Sequence, residues 1–215
     1  MKRHLRLLYN AAIRLQPRHE TPYATHMPIL VGLGLLCRPR KVIEFGSGEF
    51  STALFLDRPV FPTVEEVVSF ENDAVWFSQV SSRLGGDARL HMQSISGEMA
   101  SVISTSTLSG DLIFIDDESS AVLRSHTVVA VARGCPDGVP VVIHDAEQWR
   151  LRRAIRNFDH HFCITAMNPQ TTIAWNGDLP FAVVIPTLAG IVRDNAAHLP
   201  PHDGQGWRRV VSETI

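Results

Sequence analysis

The sequence predicts an α/β protein: an open, mostly parallel sheet with helices on both faces, whose last strand turns back as a hairpin. Three observations predict it. Short apolar runs alternate with helix-length segments from Lys41 onward. Most of the runs end in an acid or a glycine turn. The final two runs are joined by a link too short for a crossover helix, which makes that pair antiparallel.

The elements follow in order. Leu5, Leu8, Ala12 and Leu15 fall at helical spacing, ended by Pro17. After a connector over 18–24, Thr25 is expected to cap a helix from His26 to Cys37, closed by Arg38-Pro39-Arg40. Lys41–Phe45 is the first strand and flows into Gly46-Ser-Gly48. Val67–Glu71 is the second, followed by a helix through Val75, Gln79 and Leu84. Ala88–Gln93, Leu112–Ile115 and Val139–Ile143 are the third, fourth and fifth. Ala121–Ala132 and Ala146–Phe158 read as helices. Phe162–Ala166 and Thr171–Trp175 form the closing hairpin around Asn168-Pro169-Gln170. The tail from Leu188, with Pro200-Pro201 and Gly204-Gln-Gly206, is expected to be irregular. The organisation is thus a helical arm over 1–38, a main domain over 39–187 and a tail over 188–215.

Composition narrows the class. With 215 residues, 45% hydrophobic and 20% charged, the chain is an ordinary globular protein of one large or two small domains. Three scattered cysteines exclude a disulfide framework and any CxxC metal or redox motif. A reducing, cytoplasmic setting is expected, without a secretory leader. The longest apolar run, Met27–Cys37, falls short of the ~20 residues of a membrane span. Residues 1–41 carry a net +7 and the remainder −9. That basic arm reads either as a solvated helix or as a surface for an anionic partner such as RNA or a carrier-bound substrate.

In parallel sheets ligands sit outside the carboxyl ends of the strands. Here those ends read Glu44-Phe-Gly-Ser-Gly48, Glu71-Asn-Asp73, Gln93-Ser94, Asp116-Asp117 and His144-Asp145. Acids at four of five ends suit hydroxyls, an ammonium group or a metal. A phosphate-gripping loop needs Gly-x-Gly-x-x-Gly, yet position 51 is Ser, and Glu44 would repel a pyrophosphate. Glu71, at the next strand end, can accept both hydroxyls of a ribose. His144 and Asp145 read either as caps or as a base for proton removal. His160 and His161 read as an exposed turn pair, Trp76 and Trp149 as helix packing.

Val42-Ile-Glu-Phe-Gly-Ser-Gly-Glu-Phe-Ser-Thr52 resembles the first motif of class I S-adenosylmethionine (SAM) dependent methyltransferases. Ser69-Phe-Glu71, Asp111–Asp116 and Val142–Asp145 continue the likeness in order, over roughly residues 25–180. The resemblance implies a Rossmann-like, seven-stranded sheet with a reversed final hairpin, and a small-molecule O-methyltransferase. It implies SAM as cofactor, with Gly46, Ser47 and Gly48 around its methionine part and Glu44 near its amino group. Ser51 and Thr52 belong to the same motif. Glu71 and Asn72 would meet the ribose, and Gln93, Ser94 and Ile95 the adenine. Asp116 would face the methionine end and the acceptor. The catalytic candidates are His144, Asp116 and Asp145. The acceptor-binding candidates are Tyr23, His26, Asp117 and Trp149. A metal-dependent branch uses acids at the positions of Asp116 and Asp145, but Ala146 stands where a third ligand belongs, so a divalent metal on Asp116 and Asp145 is kept open but not favoured. Asp117, Glu118 and Glu147 are the substitutes such a site would draw on. The rivals are a methyltransferase acting on RNA or a carrier-bound acceptor, a nucleotide-binding oxidoreductase and a non-catalytic member of the fold. The oligomeric state is left open.

Overall fold

The computed structural model describes residues 25–118, 120–165 and 168–196. The arm helix expected around Leu5–Leu15, and Tyr23 with it, lie outside these residues. So does the proline- and glycine-bearing end of the tail.

Seven strands form one sheet: β1 (Lys41–Phe45), β2 (Glu66–Glu71), β3 (Leu90–Ser94), β4 (Leu112–Ile115), β5 (Val141–Ile143), β6 (His160–Ile164) and β7 (Thr171–Trp175). Their spatial order is β3-β2-β1-β4-β5-β7-β6. The pairs among β1–β5 are parallel, while β5–β7 and β6–β7 are antiparallel. Order reverses between β1 and β4, where Val42–Phe45 lie beside Leu112–Ile115. Crevices open at such reversals.

The helices are α1 (Met27–Cys37), α2 (Ser51–Leu56), α3 (Ala74–Leu84), α4 (Ala121–Gly134), α5 (Trp149–Ile155) and α6 (Ile185–Ala196). Strand alternation deals side chains to two cores. Val42, Val67, Leu112, Phe114 and Val142 pack with α1, α2 and α6. Ile43, Phe45, Ile113, Ile115, Val141 and Ile143 pack with α4 and α5. All four residues of β4 are buried, as a strand covered on both faces requires.

Several boundaries differ from the sequence reading. Helix α1 starts at Met27 with His26 at its N-cap, and no side chain caps it. The Thr25 hydroxyl lies instead against His144 and the carbonyl of Pro169. Helix α5 covers only Trp149–Ile155, because 146–148 form the turn leaving β5. His160 and His161 lie on the edge strand β6, exposed as expected but not in a turn, with His160 stacked on Trp175.

The largest correction is at residue 188. The chain there is helical, and Leu188, Ile191 and Val192 are buried in the first core. Helix α6 lies against α1, so close that a Cβ added at Gly32 would fall 2.2 Å from Leu188 Cδ1. Helical spacing of Ile185, Leu188, Ile191 and Val192 gives α6 one apolar face, which the nearby prolines masked. Helix α1 is likewise core: its residues Met27–Gly34 are all buried. Leu188→Ala should therefore destabilise the protein by about 2–5 kcal/mol, as truncation of a fully packed leucine does. Urea unfolding followed by far-UV circular dichroism checks this; an unchanged midpoint would place α6 outside the cooperative unit.

Candidate active site

The residues that could carry chemistry gather at the carboxyl ends of β1, β2, β4 and β5. The turn after β1 is set by Gly46, whose φ is +89°. A Cβ there would lie 2.5 Å from the backbone of both Asp116 and Asp117, so only glycine lets the β1 and β4 exits approach this closely. Ser47 and Gly48 continue the turn. Trp76, on α3, donates its Nε1–H to the Ser47 carbonyl at 2.5 Å, so it braces the turn rather than merely packing.

Glu44 is fully buried beneath the turn. It faces the same side of the sheet as Ser69, its register partner on β2. Its carboxylate accepts from Ser51 Oγ at 2.5 Å, Thr52 Oγ1 at 2.6 Å and Ser69 Oγ at 2.6 Å. Thr52 Oγ1 in turn accepts the backbone N–H of Gly48 at 2.9 Å. Glu44 thus reaches the glycine turn through hydroxyls. Burial pushes its pKa up to about 7 against the pull of those three hydrogen bonds.

Glu71 closes β2, and its two oxygens serve opposite sides. Oε2 accepts the backbone N–H of Ser47 at 3.0 Å and the Ser47 hydroxyl at 3.1 Å. Oε1 accepts the backbone N–H groups of Asn72 and Asp73. Of these four contacts, the Ser47 hydroxyl is the one that a ligand hydroxyl can replace without disturbing the backbone. The Asn72 side chain reaches the carbonyl of Gly97 at 3.3 Å and the carboxylate of Glu118, joining the loops after β2, β3 and β4. Sequence reasoning gave Glu118 only a metal role. Gln93, Ser94 and Ile95 line the β3 exit, and Ile95 N–H bonds the Glu71 carbonyl.

The β4 and β5 exits bring Asp116 and His144 together. His144 Nδ1 lies 3.2 Å from Asp116 Oδ1, and His144 Nε2 lies 2.9 Å from the Thr25 hydroxyl. A carboxylate only accepts, so Nδ1 carries a proton; in the neutral ring Nε2 then holds the lone pair, and the Thr25 hydroxyl donates to it rather than to Pro169. Burial alone would lower the His144 pKa, but the hydrogen bond and charge of Asp116, with the charge of Asp145, raise it above the ordinary value. Asp116 is half-buried; burial alone would raise its pKa, yet the His144 bond and the charges of His144 and Arg124 hold it below the ordinary value.

Arg124, in the first turn of α4, is the residue the sequence reading missed. Its side chain is 7% exposed. It donates to the carbonyls of Asp117, Glu118 and His144. It also pairs with Asp145 Oδ2 at 2.9 Å and Asp116 Oδ1 at 3.3 Å. Asp145, with φ at +56°, is thereby turned onto Arg124. A guanidinium already bridges the two acids that a magnesium-type ion would need, so Asp116 and Asp145 do not fit such an ion. The acceptor-binding candidates separate. His26 is buried against Phe114 and His144. The Asp117 side chain is fully buried on Thr127 Oγ1, its pKa pushed by burial up to about 7. Trp149 stays exposed, with Arg150 over its ring at 4.5 Å. No described helix is long and apolar enough to cross a membrane.

No family model and no curated protein matches the sequence. Solved structures do. SAH-bound Podospora anserina methyltransferase PaMTH1 aligns at 12% identity and TM-score 0.54, over 80% of this chain and 87% of that one. Cofactor-bound Rv0187 from MTB aligns at 19% identity and TM-score 0.50, over 82% and 90%. Against PigF with SAH, at 13% identity and TM-score 0.46, this chain spans 59% of the other. With strand order, reversed hairpin and the likeness to PaMTH1 and Rv0187 together, the chain has the fold of the class I SAM-dependent methyltransferases.

Proposed function

We propose that this protein is a SAM-dependent methyltransferase that methylates an oxygen or nitrogen of a small-molecule acceptor. The observation that carries the reading is the Asp116–His144 pair beside a glycine turn braced by Glu71. The residues present suit the cofactor. Gly46-Ser-Gly48 gives a bare backbone turn between two strand exits, Glu71 offers an acceptor oxygen for a hydroxyl, and Asp116 is partly open at the centre. Gln93, Ser94 and Ile95 would flank the adenine. The acids oppose a pyrophosphate, which argues against a nucleotide-binding oxidoreductase. When bound, SAM supplies an electrophilic methyl group on a sulfonium.

The chain's own contribution is to hold the acceptor and take its proton. The His144 Nε2 lone pair accepts that proton, and Asp116, on Nδ1, orients the ring and stabilises the imidazolium that forms. The Thr25 hydroxyl on Nε2 marks where an acceptor hydroxyl would stand. Asp145, held by Arg124, shapes the centre without serving as the base. In-line positioning of the acceptor supplies most of the rate. The basic residues of the arm are those on which an RNA or carrier-bound acceptor would depend, and Trp149 is the candidate wall for a planar substrate.

Calorimetry should show that S-adenosylhomocysteine binds and NAD does not. Glu71→Ala should weaken that binding ten-fold or more, the equivalent of losing about 1.5–3 kcal/mol of charge-assisted hydrogen bonding. Micromolar NAD binding without a response to either SAM compound would overturn the reading.

His144→Ala should lower kcat by ~10²–10⁴-fold while S-adenosylhomocysteine affinity is kept. The base must be neutral, and Asp116 raises its pKa, so activity should rise with pH on the acid limb. Asp116→Asn should move that limb to lower pH. A limb that stays in place would separate His144 from the proton transfer.

Glu44, with a pKa near 7, is partly protonated in the free protein. A nearby ammonium group favours its ionised form, so cofactor binding near neutral pH should release a fraction of a proton. Titrations in buffers of different ionisation enthalpy measure it, and Glu44→Gln should abolish it.

A further inference from the structure

Next to the His144–Asp116 pair lies a group with no partner. His26 is 2% exposed, and neither its Nδ1 nor its Nε2 has a hydrogen-bond partner among the described residues. Buried polar groups are nearly always satisfied, so two orphaned nitrogens on one ring point to something they are built to hold. The His26 ring stands edge-on to His144, centroids 4.6 Å apart. Choosing one ligand atom each from His26, Asp116 and His144 gives a set whose members all lie within 4.8 Å of one another.

Around a zinc-class ion, with bonds of about 2.1 Å, neighbouring ligand atoms stand roughly 3.4 Å apart. Small side-chain rotations bring the three atoms to that spacing. Asp116 Oδ1 carries the bonds to His144 and Arg124, whereas Oδ2 has no bond among the described residues. Nδ1 is the His144 nitrogen that faces Asp116, so it is the ligating atom; Nε2 stays tied to Thr25, and such outer bonds orient ligating imidazoles. Asp116 and Asp145 carry two negative charges against the one positive charge of Arg124, so the centre attracts a cation.

We propose that His26, His144 and Asp116 form a site for a zinc-class divalent ion, whose occupation of His144 Nδ1 leaves the ring proton on Nε2, removes the lone pair that would act as base and switches methyl transfer off. Two imidazoles and one carboxylate select borderline-soft ions such as zinc, cobalt and nickel over magnesium. The inhibitory part rests on the methyltransferase reading; the site itself does not.

The test uses the full chain, stripped with chelator, and cobalt(II) as a visible probe. One equivalent of cobalt should bind, giving the absorption bands of nitrogen-ligated, low-coordinate cobalt. Zinc should displace it and magnesium should not. His26→Gln should weaken cobalt binding by at least about 100-fold, and so should His26→Phe, which fills the space beside Phe114. Asp116→Asn provides a third variant should either of these fail to fold. Absence of binding, or binding unchanged in the folded variants, would overturn the site. Zinc bound at this site with methyl transfer undiminished would overturn the inhibitory role alone.

Discussion

Burying the guanidinium of Arg124 is the constraint on which the rest of the centre depends. An arginine cannot shed its charge, so a buried one must find acceptors for nearly all its donors. Arg124 finds them in the carbonyls of Asp117, Glu118 and His144 and in the carboxylates of Asp116 and Asp145. Those acceptors belong to the exits of two adjacent strands, so one side chain fixes the spacing between them. Its position at the start of α4 locks the helix to the same point. Asp145 adopts a left-handed backbone there, a strain that its tie to Arg124 holds in place.

A second buried group plays the same part on the other side of the crevice. Glu44 gathers three hydroxyls from α2 and β2, and through Thr52 it sets the Gly48 amide. The two centres differ in electrostatic character. The Arg124 cluster pairs a guanidinium with two carboxylates, while burial pushes the pKa of Glu44 up to about 7. The crevice between β1 and β4 is therefore bounded by an ion-paired guanidinium on the β4–β5 side and by a hydroxyl-bound carboxyl on the β1–β2 side.

Much of this was legible in the residues. Strands β1, β4 and β7 read clearly because apolar runs bounded by glycine, acid and proline leave few alternatives. The strand-end acids announced the crevice. What the sequence hid was partnership. Arg124 lies in Ala121-Val-Leu-Arg-Ser-His126, where a lone cation on a helix looks solvated; the one hint is its place seven residues after the Asp116-Asp117 pair. Glu44 looked like a ligand for an ammonium group, because nothing local shows that Ser51, Thr52 and Ser69 converge on it. Thr25 looked like a helix cap because threonine before an apolar helix usually is one. Its real partner, His144, lies 119 residues away.

The contact of α1 with α6 has a consequence for synthesis. Helix α1 is an apolar segment of 11 residues near one end of the chain, and α6 lies near the other. During translation at about 5–20 residues per second, α1 waits on the order of ten seconds for its partner to leave the ribosome. Over that interval the face of α1 around Gly32 lacks its native cover, and the first core cannot close around Leu188. Closure of the first core is thus a late event that waits on a contact of long sequence separation, between α1 and α6.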